Sequence, residues 1–202
     1  LDTAQTLDAM RPDAVIIRHS ASGAPHFLAD RIGARIINAG DGRHEHPTQA
    51  LLDMLTIRRH FGRLEGLEIA IVGDILHSRV ARSNLIALRT MGANVRVAGP
   101  QTLIPRDIES IYGCTRSASV AEAVEGAHVV MALRLQRERM QGGLLPSLRE
   151  YADEYGINAR ILSRARPDAV LMHPGPVNRG VEVSPDIVDS KRSLILDQVE
   201  NG

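Results

Sequence analysis

Aromatic side chains are scarce in this 202-residue chain, which has two Phe, three Tyr and no Trp. A surface that stacks successive bases needs rings at intervals, so single-strand nucleic-acid binding of that kind is disfavoured. Cysteine is scarcer still. Cys114 stands alone, can form no internal disulfide, and fits a reducing cytoplasm. No thiolate-stabilising cluster adjoins it, so it reads as a structural thiol. An excess of either charge is also missing: 24 basic and 24 acidic residues cancel, and no global field recruits nucleic acid or an anionic membrane. No apolar run approaches the ~20 residues of a membrane span. Gly73-Asp74-Ile75-Leu76-His77-Ser78 lacks both G-x-G-x-x-G and a P-loop lysine, which leaves dinucleotide or ATP binding unsupported. No Gly-x-Ser-x-Gly elbow supplies a hydrolase nucleophile.

What remains is an ordinary globular composition, 44% hydrophobic and 24% charged, arranged as alternating strand and helix patterns. Residues 3–10 read as a helix broken by Arg11-Pro12-Asp13. Short apolar runs at 14–17 and 35–38 have the character of buried parallel strands, with a helix from Ala24 to Ile32 between them. A long amphipathic helix is expected from Pro47 to about Phe61, stopped by Gly62. Further strands are expected near 68–72, 94–98, 129–133, 169–172 and 194–196. Helices are expected at 80–91, around 120–124, and over a stretch containing Leu145, Leu148 and Tyr151. The class is α/β with two parallel sheets, bridged by the helix at 47–61.

In open parallel sheets ligands bind beyond the carboxyl ends of the strands. Those ends carry Arg18 with His19, the stretch Gly40-Asp41-Gly42-Arg43-His44-Glu45-His46-Pro47-Thr48-Gln49, Asp74 through Arg79, Arg134 with Gln136, and His173-Pro174-Gly175-Pro176. Each has a plainer alternative. Arg18 can pair with a loop carboxylate, Arg79 can answer Asp74 or cap a helix, and Arg134 can join the ion-paired run Arg137-Glu138-Arg139. Jointly, three arginines at strand ends in a chain without net charge point to a substrate with several anionic groups, because the guanidinium fork matches carboxylate and phosphate oxygens. His44 and His46 are two apart without further Cys or His nearby, a weak metal pattern. Pro47 instead gives His46 a helix-start role, where free N–H groups and a partial positive charge suit an anion or a polarised carbonyl.

In order and spacing these segments resemble the aspartate/ornithine carbamoyltransferase family, over essentially the whole chain. The residues that carry the resemblance are Ile17-Arg18-His19, Asn38-Ala39-Gly40-Asp41-Gly42, His46-Pro47-Thr48-Gln49, Gly73-Asp74 with Arg79, Arg134 through Arg139, and His173-Pro174-Gly175-Pro176-Val177-Asn178-Arg179. Ornithine-specific members carry a His-Cys-Leu-Pro segment and an Asp-x-x-x-Ser-Met-Gly segment. Here the corresponding stretches begin at His173 and at Arg134, so the resemblance is to the aspartate-specific members. It implies carbamoyl transfer from carbamoyl phosphate to L-aspartate, a step of pyrimidine synthesis. It also implies two three-layer α/β/α domains, residues 1–60 and 61–202, with the first incomplete.

By the same resemblance, Arg18 and His46 polarise the carbonyl of carbamoyl phosphate, and Arg18 also reaches the phosphate. Gln49 and the backbone carbonyls near Pro174 and Gly175 hold the carbamoyl NH2, with Thr48 in support. Arg79 and Arg134 take the aspartate carboxylates, assisted by Gln136. No metal or cofactor is implied. A homotrimer is implied for the intact chain, while a dihydroorotase or regulatory partner stays open. Family members begin with a Ser-Thr-Arg-Thr phosphate segment and a lysine loop that are not found here, and end in a further helix. The expectation is therefore a chain truncated at both ends and inactive alone, with an exposed apolar face on residues 1–40. The alternatives are a carbamoyltransferase for another amino acid and a non-catalytic homologue acting as a scaffold.

Overall fold

The computed structural model describes residues 1–135 and 147–202. Among these, the elements in chain order are α1 (Asp2–Asp8), β1 (Ala14–His19), α2 (Ala24–Ala29), β2 (Arg35–Asp41), α3 (Pro47–Phe61), β3 (Glu68–Val72), α4 (Arg79–Thr90) and β4 (Asn94–Ala98). There follow α5 (Ile108–Tyr112), β5 (Thr115–Arg116), α6 (Val120–Val124), β6 (Val129–Ala132), α7 (Leu148–Tyr155), α8 (Ala159–Leu162), β7 (Val170–Met172), α9 (Pro185–Val188) and α10 (Ile195–Glu200).

Two parallel sheets result, β1-β2 and β5-β4-β3-β6-β7. In the larger sheet the strands are apolar on both faces because both faces are covered. Ile69, Ile71, Val97, Val129 and Met131 pack with Leu85 and Leu88 of α4 and Ile57 of α3. Ala70, Val72, Val130, Ala132 and Leu171 face the opposite way, into a layer containing Val120 and Val124 of α6 and Leu162 of α8. Each fully buried Ile, Leu or Val stabilises the fold by about 1.5–3 kcal/mol, so this three-layer core is the main source of stability. Cys114 is buried within it, and burial pushes its thiol pKa up, as befits a structural thiol.

The chain leaves β3 towards β4 and β5, then returns to β6 on the other side of β3. Strand order reverses there, and a crevice opens beyond the carboxyl ends of β3 and β6. The helix α3 starts at the end of β2, packs on β2, and continues along α4 and α10. It is the bridge expected from its sequence. On residues 1–40, Leu7, Met10, Ile16, Phe27 and Ile37 are exposed.

One expectation is corrected. Ser193-Leu194-Ile195-Leu196 is not the last strand. Ser193 makes a single bridge to Leu171, and Ile195 onward is α10. The large sheet ends at β7 on that side, and its other edge is an unexpected strand, Thr115–Arg116, too short to show a period. Leu145, in the expected helical stretch, lies outside the described residues.

Candidate functional site

Arg18 leaves the end of β1 and the 42–46 turn leaves the end of β2. That turn is organised by Asp41, which is fully buried and accepts hydrogen bonds from Gly23 N (2.6 Å), Asn38 Nδ2 (3.0 Å) and Glu45 N (3.0 Å), with His44 Nδ1 at 3.0 Å. Burial alone would raise the Asp41 pKa, but these donors outweigh it and hold the group at about 2. Asp41 therefore stays ionised and keeps the turn closed. His44 is committed to Asp41 and Glu45.

His46 is the N-cap of α3, with Pro47 at the first helical position. Its Nδ1 accepts from Gln49 N at 3.3 Å, with Thr48 Oγ1 also 3.3 Å away, and its own N–H donates to Ser83 Oγ at 2.9 Å. An Nδ1 that accepts from a backbone N–H leaves the proton of a neutral ring on Nε2. Burial, then the charges of Arg79 and Arg18, lower the His46 pKa to about 4. The ring is thus neutral near pH 7, with Nε2 beside Arg18 Nη1 at 3.4 Å.

The large sheet supplies the other side. Asp74, at the end of β3, accepts from His77 N at 3.1 Å and lies 2.9 Å from His77 Nδ1, holding the turn into α4. Ser78 caps α4 by accepting from Ala81 N at 3.1 Å. Arg79, the first residue of α4, is 7% exposed. Its guanidinium lies against Gly40, where a Cβ would stand 2.7 Å from Arg79 Cζ. Gly40 also has φ +116°, a conformation that a side chain disfavours. Any residue other than glycine there would displace Arg79. Arg134 follows β6, so Arg79 and Arg134 arrive together at the point where strand order reverses. The 173–176 loop follows β7. His173 is buried, its Nδ1 accepts from Gly175 N at 2.9 Å, and its Nε2 lies 3.0 Å from Glu182 Oε2.

One cleft of about 410 Å³ is lined by Arg18, His46, Gln49, Ser78, Arg79, Val80, Arg134, Pro174, Gly175 and Pro176. Arg18, His46, Gln49, Arg79, Arg134, Pro174 and Gly175 are brought together in it, whereas His19, His44, Thr48, Asp74 and His173 are not in its lining; Gln136 and Arg137 through Arg139 lie outside the described residues. Two long helices, α3 and α4, point their N-termini at this cleft, and their dipoles add to the three guanidinium charges. The arrangement suits a ligand with several anionic groups and a carbonyl between them. Sequence reasoning gave Ser78 and Pro176 no role within the segments it singled out, and it missed Val80. It also missed Asp53, which is buried below Gln49 and accepts from Gln49 Nε2 at 3.0 Å. A serine directly before a helix start is a local N-cap signal. A Gln and an Asp four apart on one helix are a local pair signal. Among the described residues, no helix is long and apolar enough to cross a membrane.

The family model described as "Aspartate/ornithine carbamoyltransferase, Asp/Orn binding domain" matches residues 65–202, and that described as "Aspartate/ornithine carbamoyltransferase, carbamoyl-P binding domain" matches residues 1–59. The chain is 60% identical over its whole length to an aspartate carbamoyltransferase catalytic subunit from Desulfotalea psychrophila, of which it covers 63%. An ornithine carbamoyltransferase structure from Thermus thermophilus superposes with a TM-score of 0.86 at 30% identity, covering 99% of this chain and 66% of that one. An aspartate transcarbamoylase from Trypanosoma cruzi in complex with N-(phosphonacetyl)-L-aspartic acid superposes with a TM-score of 0.85, also at 30% identity, covering 99% and 65%. The chain thus spans about 63% of the length of the curated relatives it matches. It belongs to the aspartate/ornithine carbamoyltransferase family.

Proposed function

We propose that the protein to which this chain belongs transfers the carbamoyl group of carbamoyl phosphate to the amino group of L-aspartate, giving N-carbamoyl-L-aspartate and phosphate. One observation carries the reading: Arg18, Arg79 and Arg134 share a single cleft with His46 and Gln49. The fold alone does not choose the acceptor, since ornithine and aspartate enzymes superpose equally well. The charge does. Ornithine brings a cation towards three arginines, whereas aspartate brings a second carboxylate that a guanidinium fork matches.

In this reading the carbonyl oxygen of carbamoyl phosphate lies between Arg18 and the Nε2–H of His46. Attack by the aspartate nitrogen on the carbonyl carbon places negative charge on that oxygen, and the two preorganised donors stabilise it before phosphate departs. Arg18 also holds the phosphate. Gln49 and the carbonyls of Pro174 and Gly175 hold the carbamoyl nitrogen, and Thr48 supports the His46 ring. Arg79 and Arg134, with Gln136, fix the two aspartate carboxylates and so bring together two anions that would otherwise repel.

Residues 1–60 serve as the carboxyl-terminal part of a carbamoyl phosphate domain plus its bridging helix, and 61–202 as the aspartate domain. The separate two- and five-stranded sheets with α3 between them support this division. A cytoplasmic homotrimer is the expected setting, as the sequence resemblance implies. The test is calorimetric binding of a bisubstrate analogue joining phosphonate to aspartate, using protein expressed from the complete reading frame that carries this chain. Tight binding is expected, weakened by Arg134→Ala; indifference to it, together with binding of an ornithine analogue, would reassign the acceptor.

A further inference from the structure

Asp53 is 0% exposed, sits one turn below Gln49 on α3, and among the described residues has no cation as a hydrogen-bond partner. Its carboxylate is held by three carboxamides. Gln49 Nε2 donates to Oδ1 at 3.0 Å, Gln198 Nε2 to Oδ1 at 2.7 Å, and Asn84 Nδ2 to Oδ2 at 2.7 Å. Burying a carboxylate without a cation is unfavourable, and burial does push the Asp53 pKa up against the pull of these donors. A core position on an amphipathic helix would be more stable with an apolar side chain, so the carboxylate calls for an account beyond packing.

The account lies in where the three amides lead. A carboxamide has one donor end and one acceptor end, and its orientation is set by its neighbours. Asp53 accepts only, so it takes the NH2 end of Gln49 and leaves Oε1 as the atom presented to the cleft. Gln198, held the same way, presents its own Oε1 to His173 N at 2.9 Å. That bond fixes the residue immediately before Pro174 and Gly175, whose loop borders a small cavity shared with Gln49 and Gln198. Asn84 ties the same carboxylate to α4, the helix that begins with Arg79.

We propose that Asp53 is the positioning residue for recognition of the carbamoyl nitrogen, setting Gln49 to present an acceptor and, through Gln198, fixing the Pro174–Gly175 loop. The ligand feature it selects is an N–H donor next to a carbonyl and near a phosphoryl group. This rests on the function proposed above and adds to it the means by which a carbamoyl group is told from an acyl group of the same shape.

The experiment compares binding of phosphonoacetamide and phosphonoacetone, stable ligands that differ by NH2 against CH3, to the full-length protein. The wild type is expected to prefer the amide by roughly 10–100-fold, the effect of leaving a buried acceptor unpaired. In Asp53→Leu the oxygen that accepts from Gln49 Nε2 and Gln198 Nε2 is removed, so nothing holds Gln49 with Oε1 towards the ligand. The preference is then expected to fall to within about threefold, while phosphonoacetone binding changes little. Gln198→Met cuts only the branch to the loop and tests the idea even if Asp53→Leu does not fold; there a drop of about threefold or more is expected. A parallel loss of both ligands, or an unchanged ratio in the variants, overturns the proposal, since a purely structural role weakens both alike. A wild type without any preference would instead show that the carbamoyl-site reading itself is wrong.

Discussion

Replacing Arg79 with alanine in the full-length protein is expected to lower kcat/KM for aspartate by about a thousandfold, with a much smaller change in KM for carbamoyl phosphate. Two charge-assisted hydrogen bonds to a carboxylate, each worth roughly 1.5–3 kcal/mol, account for a loss of that order. The location supports a ligand-directed role. Arg79 is nearly buried at the first position of α4, where the helix dipole opposes a cation, and Ser78 already provides the cap. A residue there for the sake of the helix would not be an arginine. Arg79→Lys retains the charge but loses the planar fork, so it is expected to recover only part of the activity, leaving a deficit of roughly 10–100-fold. Circular dichroism and steady-state kinetics with each substrate varied in turn check the result. If alanine raised KM for carbamoyl phosphate as much as for aspartate, Arg79 would belong to the other half of the cleft.

The second large effect concerns His46. His46→Ala is expected to reduce kcat by roughly 10²–10³, the usual loss for one oxyanion donor, with modest changes in either KM. The pH behaviour separates a neutral donor from an acid or base. With its pKa lowered from 6.5 to about 4, the folded His46 stays uncharged through neutral pH, so its contribution to kcat is flat above about pH 5 and changes only as the pH falls through about 4. Stability follows from the same shift. Between about 6.5 and about 4 the unfolded chain takes up a proton that the folded chain does not, so this contribution is present above 6.5 and is lost as the pH falls across that window. Nitrogen-15 NMR of labelled histidine is expected to show a protonated Nε2 and an unprotonated Nδ1 at pH 6. A cationic ring at that pH would mean that Gln49 N is not its partner.

Much of the fold could be read from the sequence because the signals were local. The strands of the large sheet are continuous apolar runs, Pro47 and Gly62 mark both ends of α3, and the rule that parallel sheets bind at their carboxyl ends pointed to Arg18, His46, Arg79 and Arg134 before any coordinates. What failed depended on distant partners. Ser193-Leu194-Ile195-Leu196 is a short apolar run that period alone cannot assign. It is helical from Ile195, and this helix turns Gln198 inward to Asp53, 145 positions earlier. The helices α5, α8 and α9 are each five residues or fewer, too short to display a helical period. Asp53 followed Gln49 at helical spacing and was visible as a pair, but its links to Asn84 and Gln198 exist only in the folded chain.

The most direct measurement is the rate of carbamoylated product formed by the full-length protein from carbamoyl phosphate, with aspartate and ornithine offered separately. The arginine-lined cleft predicts N-carbamoyl-L-aspartate as product, with ornithine used at least about a thousandfold less efficiently, because its cation meets guanidinium groups instead of a carboxylate. Citrulline formed at a comparable rate, or no product from either amino acid, would contradict the account.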